Sequence, residues 1–227
     1  MKVEIWSDIM CPFCYIGKRN FEAALEKFEA KNEIEIEWKS FQLDPNIPKS
    51  FENKVNTYEY LAERKGMTVE KSIELHQNVT EMAKNVGLTY NFEKSVVANS
   101  FDAHKLIQLA KSKELGDAAE ESLFKAYFTN GKDMSDHSTL IGIGKQIGLN
   151  EKEVISALDG EIFEEKVKAD ISEGNQLGVT GVPFFVFDRK YAISGAQPVE
   201  TFLNALKQSF SESNNNSVSC STDDGSC

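Results

Sequence analysis

Met10-Cys11-Pro12-Phe13-Cys14 sets two cysteines, separated by two residues, between an apolar strand and an amphipathic helix. Upstream, Val3 and Ile5 alternate with Lys2 and Glu4, and Ile9 follows less regularly, as in a buried strand. Downstream, Phe21, Ala24, Leu25 and Phe28 recur at the spacing of a helix packed on one face. Cys11 therefore falls at the mouth of a helix and Cys14 in its first turn. Pro12 sits where backbone N–H groups have no helical partner, so it costs nothing there. The unpaired amides and positive dipole end of a helix N-terminus stabilise a thiolate, the reactive form of cysteine. Such sites lower the pKa of a cysteine from about 8.5 to roughly 3.5–7.5. The two-residue gap lets Cys14 attack a mixed disulfide formed on Cys11. The competing readings are two inert buried thiols or half of a metal site, but zinc needs further ligands and no histidine lies nearby in the sequence. The pattern favours redox chemistry and no metal.

Beyond the helix, Ile34, Ile36 and Trp38 alternate with Glu33, Glu35, Glu37 and Lys39, predicting a half-buried strand that continues into Phe41 and Leu43. Asp44-Pro45-Asn46-Ile47-Pro48 breaks it. A strand, helix, strand order of this kind implies a parallel pair. From Thr57 to Leu177 the pattern becomes almost wholly helical, in short segments divided by glycine and polar turns. One of these opens at Asp117 and predicts Ala118, Leu123, Ala126 and Tyr127 inward. Strands return at Val182–Phe187 and Tyr191–Ile193 around an Asp188-Arg189-Lys190 turn, and a last amphipathic helix starts near Pro198. A β-α-β half and a β-β-α half flanking a helical block make an α/β chain of the thioredoxin fold with a large inserted α-helical bundle. The predicted division is 1–50 with 178–210 for the thioredoxin-fold domain and 51–177 for the insertion. Residues 211–227, rich in Ser, Asn and Asp, read as a flexible tail.

The 227 residues can bury a substantial core, and 41% hydrophobic content fits a globular chain. With 25 basic against 36 acidic residues, the net charge of −11 gives nucleic-acid binding no electrostatic support. No apolar run of about 20 residues could span a membrane. A cleaved leader would take the first strand with it, so the expected location is cytoplasmic. Persistent disulfides there are usually catalytic or redox-sensing. The four cysteines divide evenly: Cys11 and Cys14 near the start, Cys220 and Cys227 at the end.

Ile5-Trp6-Ser7-Asp8-Ile9-Met10-Cys11-Pro12-Phe13-Cys14, together with Gly178-Val179-Thr180-Gly181-Val182-Pro183-Phe184-Phe185, resembles the DsbA-like oxidoreductases, and within them the cytosolic FrnE branch. The likeness continues at Asn99–Leu106 and Leu123–Phe128 and covers residues 2 to about 208. It implies that Cys11 is the attacking thiol, that Cys14 resolves, and that Val182–Pro183 is a cis bond facing them. Val182 would then offer its N–H and C=O to an extended substrate. Disulfide-containing proteins or small thiols are the implied partners. No tightly bound cofactor is implied, and glutathione is a candidate co-substrate.

Two departures matter. Phe13 stands where the DsbA pattern carries His, which predicts a less depressed Cys11 pKa and a potential below the strongly oxidising value near −120 mV. Ile5 stands where thioredoxin-like proteins tend to bury an acid, six residues before the first cysteine. Proton transfer to or from Cys14 then uses Asp8, water or neither, and capping the active-site helix is the competing role for Asp8. Met10, Pro12 and Phe13 would form an apolar substrate-contact rim with Val182 and Pro183.

Cys220 and Cys227 resemble the second cysteine pair of FrnE-type proteins, an electron shuttle. The stretch from Phe210 to Cys220 spans at most about 33–36 Å when extended, enough to reach the first pair. Free thiols in a tail, or a soft-metal clip, are the alternatives. His104 lies on an apolar helical stripe and reads as a core or surface histidine. His76 and His137 have no partners at ligand spacing, and Trp6 and Trp38 read as core. The same insertion-bearing fold resembles the glutathione-dependent kappa transferases and hydroxychromene-carboxylate isomerases, which carry a single Ser at the Cys11 position. A non-catalytic thiol- or metal-binding chaperone is a third reading.

Overall fold

A computed structural model of the chain describes residues 1–49, 51 and 55–219. Its sheet has the order β2-β1-β3-β4, built from β1 (Lys2–Ser7), β2 (Glu35–Ser40), β3 (Phe184–Phe187) and β4 (Tyr191–Ser194). β1 is central and therefore buried on both faces. It runs parallel to β2, pairing Ile5 with Trp38, and antiparallel to β3, pairing Ile5 with Phe185. β3 and β4 form the antiparallel hairpin.

α1 (Pro12–Glu26) crosses one face of the sheet and packs beside α9 (Val199–Ser219). Val3, Ile5, Trp38, Phe185 and Phe187 meet Phe21 and Ala24 of α1 and Phe202 and Leu206 of α9 in one apolar cluster. The other face is covered by α8 (Ile162–Gln176), where the Trp6 indole N–H donates to the Asp170 carbonyl at 2.9 Å. Gly174 makes that approach feasible, since a Cβ there would lie 2.7 Å from the indole nitrogen.

Between β2 and β3 the chain forms α2 (Thr57–Lys65), α3 (Val69–Asn85), α4 (Phe101–Lys111), α5 (Gly116–Phe124), α6 (His137–Gln146), α7 (Glu151–Asp159) and then α8. α5 passes into a π-helical turn over Lys125–Thr129. The helical block shares its core with the start of α1: Ile9, Cys11, Cys14, Tyr15 and Ile16 belong to the same apolar cluster as Leu106, Phe124, Phe128 and Leu140.

Three expectations change. β2 ends at Ser40. Phe41 is still tied to the sheet through its N–H to Ser7 O at 3.0 Å, while Leu43 has left it and is 38% exposed. On α5 the inward residues are Ala119, Glu120, Leu123 and Phe124, with Ala118 exposed, because Ala119 and Leu123 stand four apart on one helical face and Ala118 does not share it. α9 runs through Ser219, past the Ser211 boundary at which composition predicts a tail. Two side-chain contacts support that extension: Tyr191 Oη donates to Glu212, and Ser213 Oγ donates to Asp188. Both lie at the end of the sheet where the Asp188 N–H bonds Lys2 O. α9 thus leads away from the cysteine end of β1.

Candidate active site

β1 ends at Ser7, and the four residues from Asp8 to Cys11 turn the chain into α1. Cys11 is the N-cap of α1, with extended backbone, and Pro12 is its first helical residue. The turn is closed by the Cys11 N–H donating to Asp8 O at 2.9 Å, and the Cys14 N–H donates to Cys11 O at 3.0 Å. Both cysteines are free thiols at the mouth of the helix, 2% and 1% exposed. The Cys11 thiol donates to the Val182 carbonyl at 3.3 Å. Burial pushes the Cys14 thiol well above its ordinary range, and its hydrogen bond with Cys11 pushes the same way. The Asp8 amide and the Ser7 hydroxyl offset only part of this. Cys14 therefore rests as a protonated thiol behind Cys11.

The Val182–Pro183 bond is cis. Pro183 is held from both sides: its carbonyl accepts the Gly195 N–H at 2.8 Å, and its ring rests on Gly17 of α1. A Cβ on Gly17 would lie 2.9 Å from Pro183 Cγ, so only glycine lets the proline loop come this close. The sequence reading attached no role to Gly17, because the contact exists only once β3 is laid beside α1.

Met10 and Pro12 are half-buried beside Cys11, while Phe13 is 38% exposed and forms an apolar edge. Next to them opens a cavity of about 410 Å³, with Cys11 in its wall and Leu43, Leu61, Val79, Phe92 and Tyr127 among its lining residues. At its rim Arg64 bonds Asp44 and the Leu43 carbonyl, joining α2 to the loop after β2. Tyr90 Oη donates to the Pro12 carbonyl at 2.7 Å, a tie from the insertion to the first turn of α1.

Asp8 does not cap α1. No side chain bonds the first amides of that helix. The Asp8 carboxylate instead accepts the Met10 N–H on Oδ1 at 3.1 Å and the Leu43 N–H on Oδ2 at 2.7 Å. It therefore staples the cysteine loop to the chain leaving β2. The reason is geometric: three residues upstream of the N-cap, the side chain faces the loop and not the helix mouth. His104 of α4 lies behind it, fully buried, with Nε2 3.6 Å from Asp8 Oδ1. The helical stripe predicted that burial but not the neighbour. Glu120 of α5 is also buried, and desolvation raises its carboxyl to about 8, with Lys18 opposing and Asp117 and Asp8 reinforcing. It is an acid carried by the insertion in a protein with Ile5 at the customary acid position.

Among the described residues, no group of three His, Cys, Asp or Glu side chains is placed to hold a metal ion. Cys220 and Cys227 lie outside the described residues.

The model of the DSBA-like thioredoxin domain matches residues 2–207. The chain belongs to that family. This DSBA-like protein is 37% identical to a probable DsbA oxidoreductase of Streptomyces coelicolor, with a TM-score of 0.88 over 93% of this chain and 91% of the other. It is 24% identical to the uncharacterised protein YwbO of Bacillus subtilis, over 90% of this chain and 94% of that protein. Its fold is also that of the cytosolic disulfide reductase DsbM of Pseudomonas aeruginosa, solved alone and with GSH. For the former the TM-score is 0.64 at 15% identity, covering 92% of this chain and 98% of the other.

Proposed function

We propose that this DSBA-like protein is a thiol–disulfide oxidoreductase in which Cys11 attacks and Cys14 resolves. The observation that carries the reading is the Cys11 thiol at the amide-lined mouth of α1, 3.3 Å from the Val182 carbonyl, with Cys14 beside it. The Cys11 thiolate attacks one sulfur of a substrate disulfide, and the other sulfur leaves as a thiolate. An extended substrate segment pairs with Val182, its N–H taking the place the Cys11 thiol holds at that carbonyl. Cys14 then loses its proton and attacks Cys11 Sγ, releasing the reduced substrate and leaving the Cys11–Cys14 disulfide. Met10, Pro12 and Phe13 supply apolar contact around the exchanging sulfurs.

Substrates of this reading are disulfide-bearing proteins or small disulfides, with glutathione as the thiol that restores the reduced pair. No tightly bound cofactor takes part. The working location is the cytoplasm, where reduction or isomerisation fits better than net oxidation. No described helix is long and apolar enough to cross a membrane. Cys220 and Cys227 serve as an auxiliary electron relay. The kappa-transferase and chromene-isomerase reading is disfavoured by Cys14, a resolving thiol those enzymes do not need.

Equilibration in graded thiol redox buffers, alkylation of free cysteines and mapping of the pairs by mass tests the proposal. A single two-electron Cys11–Cys14 couple is expected. Cysteines that never pair would overturn it.

A further inference from the structure

The Asp8–His104 contact is costly by any ordinary accounting. His104 is fully buried in α4, and among the described residues neither ring nitrogen has a hydrogen-bond partner. A neutral imidazole offers one donor and one acceptor, and leaving such groups buried and unpaired is destabilising. The nearest acceptor is Asp8 Oδ1, 3.6 Å from Nε2: too long for a hydrogen bond, within range of an ion pair. Asp8 in turn touches both cysteines through its backbone, its carbonyl accepting the Cys11 N–H and its amide facing the Cys14 sulfur. Asp8 is also among the residues lining the cavity that has Cys11 in its wall.

Among the other titratable groups on this side, Lys18 of α1 is a settled cation that acts on Glu120, but it is engaged by Glu22 and Asp117. Cys11 and Cys14 come from α1, while Glu120 of α5 and Tyr127 of the following turn both feel the Asp8 charge. Lys105, the next residue on α4, points elsewhere, to the Leu158 carbonyl and Asp102. Neither Pro12 nor Phe13 can supply a charge between the cysteines. His104 is the one described side chain in contact with Asp8 that can become a cation.

We propose that Asp8 and His104 form a buried proton-binding pair that governs the charge state of Cys11. The inference deepens the oxidoreductase reading and rests on it for its biological use. With the proton on His104, imidazolium and carboxylate sum to zero and a thiolate on Cys11 meets no net repulsion. Without it, the pair carries one negative charge beside the nascent thiolate and opposes it. Linkage makes the effect reciprocal: the Cys11 thiolate must tighten the hold of His104 on its proton by the same factor. The proton stays within the pair during exchange, and sulfur chemistry proceeds as written above. His104 is thus a positioning residue that acts through Asp8.

The test is the rate of Cys11 alkylation by iodoacetamide in the reduced full-length protein, from about pH 5 to 9, across the histidine and cysteine ranges. In His104→Gln the pair is fixed at one negative charge. Alkylation should then be roughly tenfold slower near the acid end, the effect of a nearby like charge opposing the thiolate. The two profiles should converge at the alkaline end, where the wild-type pair has given up its proton. Asp8→Asn should move the profile the opposite way. A His104→Gln profile superimposable on wild type, or slower by one factor at every pH, overturns the proposal, the second because a purely structural role does that. Should the variant fail to fold, the C2 proton of His104 can be titrated by NMR in the reduced wild type and in Cys11→Ser, with only His76 and His137 to distinguish it from. A higher midpoint in the protein that holds the thiolate supports the pair, and equal midpoints overturn it. None of these measurements needs a Cys11–Cys14 disulfide to form, so they separate this inference from the oxidoreductase reading.

Discussion

Along α1, the first turns around Cys11, Cys14, Tyr15 and Ile16 pack against a different part of the chain from Phe21 and Ala24. Phe21 and Ala24 join the sheet core, where each neighbour is apolar and Phe21 meets Phe185, Phe187 and Phe202 at ring-centroid distances of 5.5, 6.3 and 5.8 Å. Cys11, Cys14, Tyr15 and Ile16 join the core of the helical insertion, and that side also buries Asp8, His104, Glu120 and Lys18. One helix therefore has a half held by hydrophobic burial and a half surrounded by groups that are expensive to bury unpaired. A polar side chain retained at such a cost beside reactive thiols is better explained by their chemistry than by stability. On this view the sheet holds α1 in place, while the insertion sets the environment in which the sulfurs react.

Substitution at the sulfurs gives the largest expected effect. Cys11→Ser should abolish disulfide exchange, whereas Cys14→Ser should still attack and then stall, accumulating a mixed disulfide on Cys11 that mass spectrometry detects. Turnover by Cys11→Ser in an insulin or glutathione-disulfide reduction assay would break the assignment of roles. Neither variant should lose much stability, since each exchanges one small buried side chain for another.

The sheet side should behave in the opposite manner. Phe202→Ala removes a fully buried ring that stacks edge-on against Phe185, with centroids 4.6 Å apart. A loss of about 3–5 kcal/mol in urea unfolding is expected, as for other buried aromatic truncations. The redox potential of the surviving folded protein should be unchanged. A potential that moved with it would show that the two sides are not separable.

The sheet side is also the part most legible in the sequence. Alternation at Ile34–Trp38, the apolar run at Val182–Phe187 and the stripe through Phe21 and Phe28 are local signals, and each led to the right element. Cys11 and Cys14 were legible for a related reason, because a helix N-terminus can be recognised from its flanking patterns. The surroundings of the sulfurs were not. Asp8 meets Leu43 and His104 only after β2 and α4 are placed, and Gly17 meets Pro183 only across the sheet. On α5 it is Glu120 and not Ala118 that lies inward, beside Ala119 on the face that Leu123 shares. Contacts made across the fold leave no periodicity behind.

Glu120 offers a smaller test, through pH. Its carboxyl is raised from an ordinary 4.5 to about 8, chiefly by burial. The folded protein therefore binds this proton more tightly than the unfolded chain does. Its contribution to stability is fully present below the unfolded value and is lost as pH rises through the folded one. Glu120→Gln keeps the shape without the charge, so the variant should gain stability relative to wild type steadily between about pH 5 and 8. Lys18 retains Glu22 and Asp117 as partners, so the substitution leaves no orphaned cation. Denaturant unfolding at several pH values reads the difference. Parallel stability curves for the two proteins would mean that Glu120 is ionised in the folded state after all.

The smallest effect belongs to Tyr90, the direct tie between the insertion and the first turn of α1. Its hydroxyl donates to Pro12 O, and its ring stacks on Phe128 with centroids 4.6 Å apart. Tyr90→Phe keeps the stack and removes only the hydrogen bond, whose acceptor lies within the first turn of α1. About 0.5–1.5 kcal/mol of stability should be lost. The informative comparison is with Phe202→Ala: the far milder Tyr90 substitution should be the one that alters Cys11 alkylation, because it loosens the turn that presents Cys11 to Val182. If Tyr90→Phe leaves the alkylation rate untouched at every pH, the hydroxyl contributes to packing alone. The influence of the insertion on the sulfurs would then run through Asp8 and His104, not through its grip on α1.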